Sequence, residues 1–341
     1  MTLRGRRCAL VFGAVIAVLA GCAVPSGQTP QSSIQNNRSS AQSLFLAFLD
    51  RMKEAPTRPD RRASWMAPEA KKQRLLYLSD GGADEVLIYS YPAGKKVGAL
   101  TQLRDPAGVC SDAAGDVWVV NSASFTIVEY AHGATKSEAT LSDAGASNPL
   151  GCSVDPTTGN LAVTNLGAST GGGDLAIYTG AKGSAKKYQD SDLTYPYFCG
   201  YDDQGNLFVD GLNSSYGFVF AELPSGSGKL QTIGLNGTVD FPGGVQWDGS
   251  YVAIGDQYYQ GKHTSAIDQV SVSGSAGTVE GTTTLTSSCN VLQFAIAGST
   301  VVAPDVCSSD ARYYHYPAGG SSTKTLTGLT YPVAAAVSLP Q

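Results

Sequence analysis

Five prolines head near-copies of one short motif, and their spacing constrains the fold more than any other feature of the chain. Pro106-Ala-Gly-Val-Cys-Ser-Asp112 returns as Pro149-Leu-Gly-Cys-Ser-Val-Asp155, Pro196-Tyr-Phe-Cys-Gly-Tyr-Asp202 and Pro242-Gly-Gly-Val-Gln-Trp-Asp248. These prolines lie 43, 47 and 46 residues apart, and Pro332 follows Pro242 by 90, two further units of 45. After each motif come a glycine turn and a second apolar run closing on Asn or Asp. A third run ends beside an aromatic and a glycine (Tyr130, Tyr178, Tyr316), and a polar fourth run closes the unit, as over 136–141 or 322–326. Short alternating runs between turn residues predict strands rather than helices. Four strands per unit, repeated at a fixed period, predict the blades of a β-propeller.

The two ends of the repeat region complete each other. Pro332 heads a first strand with nothing after it, over 332–338, whereas 75–80, 86–89 and 96–100 read as a second, third and fourth strand lacking a first. Joined, they make one more blade and hide the sheet edges that an open array would expose. Residues 75–341 therefore read as one all-β domain, a six-bladed propeller of four-stranded blades closed by its C-terminal strand. Seven blades would allow only about 38 residues each, which the proline spacing forbids.

The Pro-x-Gly-Val-x-x-Asp pattern followed by Gly-Asn-Leu-x-Val resembles the NHL-repeat propellers and, more loosely, the regucalcin/gluconolactonase propellers. The resemblance covers the chain from Leu75 onward and speaks to fold more than to function, because propellers host many unrelated activities. It implies a divalent-cation site at one channel mouth, built from oxygen ligands one residue after the proline landmark. This chain puts Ala107, Leu150, Tyr197, Gly243 and Val333 there, with Asn290 as the one polar candidate. Apolar side chains cannot supply such oxygens, so neither a metal nor another cofactor is expected. A divergent metal-dependent lactonase or hydrolase is the alternative to a non-catalytic binding or scaffold protein.

The N-terminal segment carries Arg4, Arg6 and Arg7, an apolar run over 8–20, and then Leu19-Ala20-Gly21-Cys22. The run is too short to span a bilayer, which needs roughly 20 residues, and has the length of a signal-peptide core. The motif resembles the lipobox of bacterial lipoproteins. That resemblance implies a signal peptide over 1–21 and acylation of Cys22 with palmitate-type chains, hence export and a membrane anchor. Ala23 in place of Asp points to the outer membrane, on its periplasmic side, if the source is Gram-negative. Residues 22–74 read as a mostly disordered tether, with a short helix expected over 44–52 and Trp65-Met66 packing on the propeller rim. Residues 23–74 hold nine basic against four acidic side chains, and residues 75–341 hold 11 against 24. Such a tether suits anionic headgroups, and the acidic body excludes nucleic acid as a partner. The protein is expected to be a monomer, with a small molecule, glycan or protein as ligand.

No catalytic constellation stands out: there is no nucleophile elbow, P-loop or Cys-x-x-Cys. Asp80, Asn121, Asn165, Asp210, Asp256 and Asp305 each end a second strand and form a ring at one channel end. They read either as a polar collar for a cation or, more simply, as caps on local backbone N–H groups. Tyr197, Tyr258 and Tyr259 are candidates for an aromatic ligand site. The Asp-x-x-Gly stretches after the first strands read as turns, and His132, His263 and His315 as surface residues. Cys289 and Cys307 fall at the same end of one hairpin and are expected to form a disulfide in an oxidising compartment. Cys152 and Cys199 occupy equivalent positions on neighbouring inner strands, which suggests a second bridge and leaves Cys110 over.

Overall fold

The computed structural model describes residues 41–51, 62–143, 145–167 and 171–340. The signal peptide expected over 1–21 and the acylated Cys22 lie outside them. The described residues form a propeller-like ring of antiparallel meanders, whose first strands line a central channel. One four-stranded sheet runs Pro106–Ser111, Val117–Asn121, Thr126–Tyr130 and Ser137–Ser142, and the next Pro149–Val154, Leu161–Asn165, Asp174–Tyr178 and Lys186–Tyr188. A third holds Ala295–Ala297, Thr300–Asp305, Asp310–His315 and Lys324–Leu326. Between them, an eight-stranded sheet consists of two meanders, starting at Tyr195–Tyr201 and Pro242–Trp247. Their outer strands Gln231–Leu235 and Ala276–Leu285 pair in parallel at Gly234↔Ala276 and Leu235↔Gly277.

The closing sheet has the order expected from the ends of the chain. Pro332–Ser338 pairs antiparallel with Leu75–Asp80 from Leu75↔Ser338 to Asp80↔Pro332. Outward follow Glu85–Ser90 and Lys96–Leu100, and then a fifth strand, Trp65–Met66, against Ala99 and Gly98. The Trp65-Met66 pair therefore reaches the rim as an added edge strand, with Met66 packed inward and Trp65 exposed.

First strands crowd together around the channel, and this explains the glycine that follows two residues after three of the landmarks. A Cβ on Gly108 would run into the Leu150 carbonyl oxygen of the neighbouring blade, and one on Gly244 would press on the Gln293 backbone. Between the blades, alternate faces of the strands pack into apolar layers such as Leu75, Tyr77, Val86, Val109, Val119 and Ala334. Each large aliphatic or aromatic side chain buried in this way contributes about 1.5–3 kcal/mol.

Residues 22–74 are not a free tether throughout. Residues 41–51 form the expected helix, but it lies on the ring, with Ala41, Phe45 and Leu49 buried. Those three positions recur every fourth residue and make one helical face. The 62–74 stretch is likewise fixed, for instance by Ser64 Oγ, which accepts the Thr101 N–H at 2.9 Å.

Candidate functional site

The channel has two mouths with opposite chemistry. At the first, the residues one past each landmark, Ala107, Leu150, Tyr197 and Val333, belong to one apolar cluster that also includes Leu292. The degenerate blade, which lacks the proline, contributes Leu292 and not Asn290. Gly244 N–H donates to the Leu292 carbonyl oxygen at 2.7 Å just as Gln293 N–H donates to Val333 at 3.0 Å. The expectation for Asn290 was thus two residues out of register, because a left-handed kink at Asn290 (φ 62°) precedes the inner strand. With Gly243 the ring offers a metal no side-chain oxygen other than the Tyr197 hydroxyl, and among the described residues no three His, Cys, Asp or Glu converge as ligands.

The helix seats on this ring. Phe45 lies 4.5 Å from Tyr195 and 5.4 Å from Tyr216, and Phe48 lies 5.9 Å from Tyr197, ring centre to ring centre. At its C-terminal end the Arg51 guanidinium stands 4.6 Å over the Tyr331 ring. Arg51 also faces Asp105, whose carboxyl is pushed up to about 6 by burial, against the pull of Arg51 and with a further push from Asp84. Tyr197 is consequently buried beneath the helix and is not an open ligand site. Tyr258 packs at the edge of the same cluster with its ring against His263 at 4.8 Å, and Tyr259 sits in the turn beyond. The three tyrosines do not form one accessible aromatic site.

The Asp/Asn ring at this end serves the backbone. Asp80 accepts the N–H groups of Thr330 and Tyr331, each at 2.7 Å, and Asn121 Oδ1 accepts that of Arg104 at 2.6 Å. Asp210 accepts from Phe198 at 2.9 Å, Asp256 from Asp240, Phe241 and Tyr258, and Asp305 from Cys289 and Ser308. Most of these donors sit at the entry to the first strand of the same blade, which each carboxylate clamps to the end of the second. Asn165 differs, donating to Asp174 at 2.6 Å. All six are buried, so they do not form a solvent-facing collar. Burial pushes Asp256 up to about 7 against three N–H donors, and holds Asp210 far above the usual carboxylate range.

The second mouth is open. A cavity of about 470 Å³ runs up the channel between the far ends of the first strands. This lies in the size range of small-molecule sites. Gln293 and Val109 lie deep in it, Ser111, Ser153, Tyr201, Gln246 and Trp247 line its walls, and Asp112, Asp202 and Asp203 stand at its rim. Gln246 is fixed by two bonds to the Ile296 backbone, at 3.0 and 2.8 Å, and Ser153 Oγ accepts the Tyr201 N–H at 3.0 Å. Asp112 and Asp202 do close turns, as expected: Asp112 accepts from Asp116 at 2.8 Å, and Asp202 from Gln204 and Asn206 at 2.9 and 2.8 Å. Gln293 carries no sequence signal, since its blade lacks the proline landmark; Trp247 ends the fourth motif, but nothing in a strand pattern marks it as a cavity wall.

Two disulfides occur among the described residues. Cys289–Cys307 is the expected one. The second joins Cys110 to Cys152, not Cys152 to Cys199, and Cys199 is a buried thiol whose pKa burial and Asp210 raise. Cys152 and Cys199 pair with equivalent partners, Val163 and Val209, so both side chains lean toward the preceding blade and never face each other. Cys110 is one residue later in its strand, and a one-residue shift flips a side chain to the opposite face. That turns it toward Cys152. The histidines divide too: His315 is exposed, whereas His132 is buried, with Nδ1 2.6 Å from Ser338 Oγ and Nε2 2.9 Å from the Gln73 carbonyl oxygen.

No protein-family profile and no curated protein sequence matches the chain. Solved structures do. A chain of the nidogen/laminin complex superposes with a TM-score of 0.60 at 14% identity, covering 79% of this chain and 99% of that one. A Bacteroides caccae protein of unknown function gives 0.58 at 11% identity (78% and 99%), and a functionally unknown protein from Desulfotomaculum acetoxidans gives 0.55 at 12% (79% and 100%). At such identities the likeness concerns fold alone, and the fold is a β-propeller. The disulfides point to an oxidising location outside the cytosol. No helix among the described residues is long and apolar enough to cross a membrane.

Proposed function

We propose that this chain is a lipid-anchored binding propeller of the cell envelope, with six blades of the NHL/regucalcin-like kind and a ligand site at its open channel mouth. In this reading residues 1–21 are the signal peptide, acylated Cys22 holds the protein to a membrane (the outer membrane of a Gram-negative source), and 75–341 form the propeller. The observation that carries it is the seating of the helix: the mouth that gluconolactonase-like relatives use for a metal is apolar here and closed by the chain's own Phe45, Phe48 and Leu49. That leaves the opposite cavity, with its fixed polar groups, as the accessible concave site. It also weighs against the metal-dependent lactonase reading, since Ala107, Leu150, Gly243, Leu292 and Val333 bring no side-chain oxygens.

Two experiments test the proposal. Radiolabelled palmitate should enter the wild-type protein and not Cys22→Ser; equal labelling of both, or of neither, refutes the anchor. For the site, sugars, amines, carboxylates and short peptides are screened for a rise in melting temperature, with Ser111→Trp filling the cavity. A ligand that stabilises the wild type but not a normally folded Ser111→Trp supports the reading, and identical responses throughout reject it.

A further inference from the structure

The open cavity is built for one sign of charge. Its lining includes no Lys, Arg or His, while Asp112, Asp202 and Asp203 stand on the rim. The adjoining edge of the ring carries Asp116, Glu129 and Glu138. Burial, and then like charge, keeps Asp112, Asp116 and Glu129 above their ordinary values, with Lys182 and His132 as the nearby opposing groups. The rim carboxylates act mainly as fixed charges, because Asp112 and Asp202 spend oxygens on their own turns and Asp203 is exposed to solvent. An electronegative mouth of this kind draws cations in and repels anions.

A second and independent feature lies on the floor. Gln293 is only 9% exposed, and its Nε2 donates to the Val109 carbonyl oxygen at 2.9 Å across the channel. That bond fixes the amide, so Oε1 is the acceptor left over, and it has no donor among the described residues. Leaving a buried acceptor unpaired costs about 1–3 kcal/mol, and native proteins seldom keep one without a use. What it lacks is an N–H or O–H from outside. The walls add Trp247 and Tyr201, whose rings favour a cation over an anion.

Resting on the reading of this cavity as the ligand site, we infer that it takes an organic cation with N–H donors, an aliphatic primary amine or polyamine. One ammonium group donates to Gln293 Oε1, and the rim carboxylates of Asp112, Asp202 and Asp203 compensate the remaining charge. A carboxylate or phosphate ligand would meet three like charges at the entrance. A neutral polyol could satisfy Gln293 but would leave the acidic rim uncompensated.

Isothermal titration of the full chain in non-ionic detergent, with spermidine, glucose and citrate as probes, decides the matter. Spermidine is expected to bind once per chain and to weaken as salt is raised. Gln293→Leu should weaken it about tenfold or more, the loss expected for one hydrogen bond to a charged group. Asp203→Asn, on the exposed rim where folding is not at risk, should weaken it roughly two- to fivefold. Absence of spermidine binding, or binding that neither variant alters, overturns the inference. Glucose or citrate binding that Ser111→Trp abolishes would overturn the cationic ligand while leaving the cavity as the binding site.

Discussion

His132 shows how a residue with no motif around it can matter to the whole ring. Its Nε2 donates to the Gln73 carbonyl oxygen, and the neutral ring takes a hydroxyl proton from Ser338 at Nδ1, so one side chain ties together the lead-in segment, the closing strand and the neighbouring blade. Burial lowers its pKa below 6.5. A folded state that prefers the neutral ring gains stability above pH 6.5 and loses it as the pH falls below that value. Buried Asp105 and Asp256, raised to about 6 and about 7, work in the opposite direction, since they take up protons on folding and favour the fold at lower pH. The His132 contribution therefore shows in a difference: the melting-temperature gap between wild type and His132→Gln should narrow from pH 7.5 to pH 5.5. A gap that stays constant or widens contradicts the assignment. A sequence reading treats such a histidine as a surface residue because its three partners lie far away along the chain.

At the scale of elements, the 41–51 helix has the least support of its own. Eleven residues make only about three turns, too few for a stable isolated helix in water. Its order depends on seating Phe45, Phe48 and Leu49 on the tyrosines of the channel mouth. Phe45→Ala removes a fully buried ring, a change that costs about 3–5 kcal/mol in a packed core. The helix is expected to undock, so trypsin should cleave after Arg51 much faster in the variant while the melting of the ring stays nearly unchanged. Equal cleavage rates would mean that the helix is held by something other than this contact. The helical pattern itself was legible from sequence, but its docking site was not, because Leu150, Tyr197 and Val333 become neighbours only when the blades close. The disulfides teach the same lesson. Equivalent cysteines on adjacent blades look like natural partners in a repeat alignment, yet rotation about the ring keeps them parallel, and only the out-of-register Cys110 can face Cys152.

For the whole molecule, the closing strand is the critical joint. Pro332–Ser338 covers the Leu75–Asp80 edge along its full length, and the Asp80 carboxylate holds the entry to that strand through Thr330 and Tyr331. Removing residues 332–341 leaves a long, apolar inner edge open and a buried carboxylate unpaired, and unprotected edges of this kind template aggregation. The truncated chain is expected to be insoluble or to lose its cooperative melt. A soluble truncation with native circular dichroism would show that closure is not what holds the ring together. The parallel Gln231–Leu235 and Ala276–Leu285 contact is a second seam between meanders, and it comes from a long hairpin that no repeat pattern announces.

The sequence by itself determined the strand repeat, the pairing of the two chain ends and the Cys289–Cys307 bridge. Each is local or periodic: alternation, a proline at a fixed interval, two cysteines on one hairpin. It also carried the apolar character of the helix-covered mouth, since the landmark positions can be read one blade at a time. The tertiary structure alone decided what lies across the channel from what. The Gln293 amide reaching Val109, the histidine between Gln73 and Ser338, the helix over Tyr197 and the orientation of Cys110 all join residues from different turns of the ring. Their geometry is set by the closure of the circle, which no window of the sequence contains.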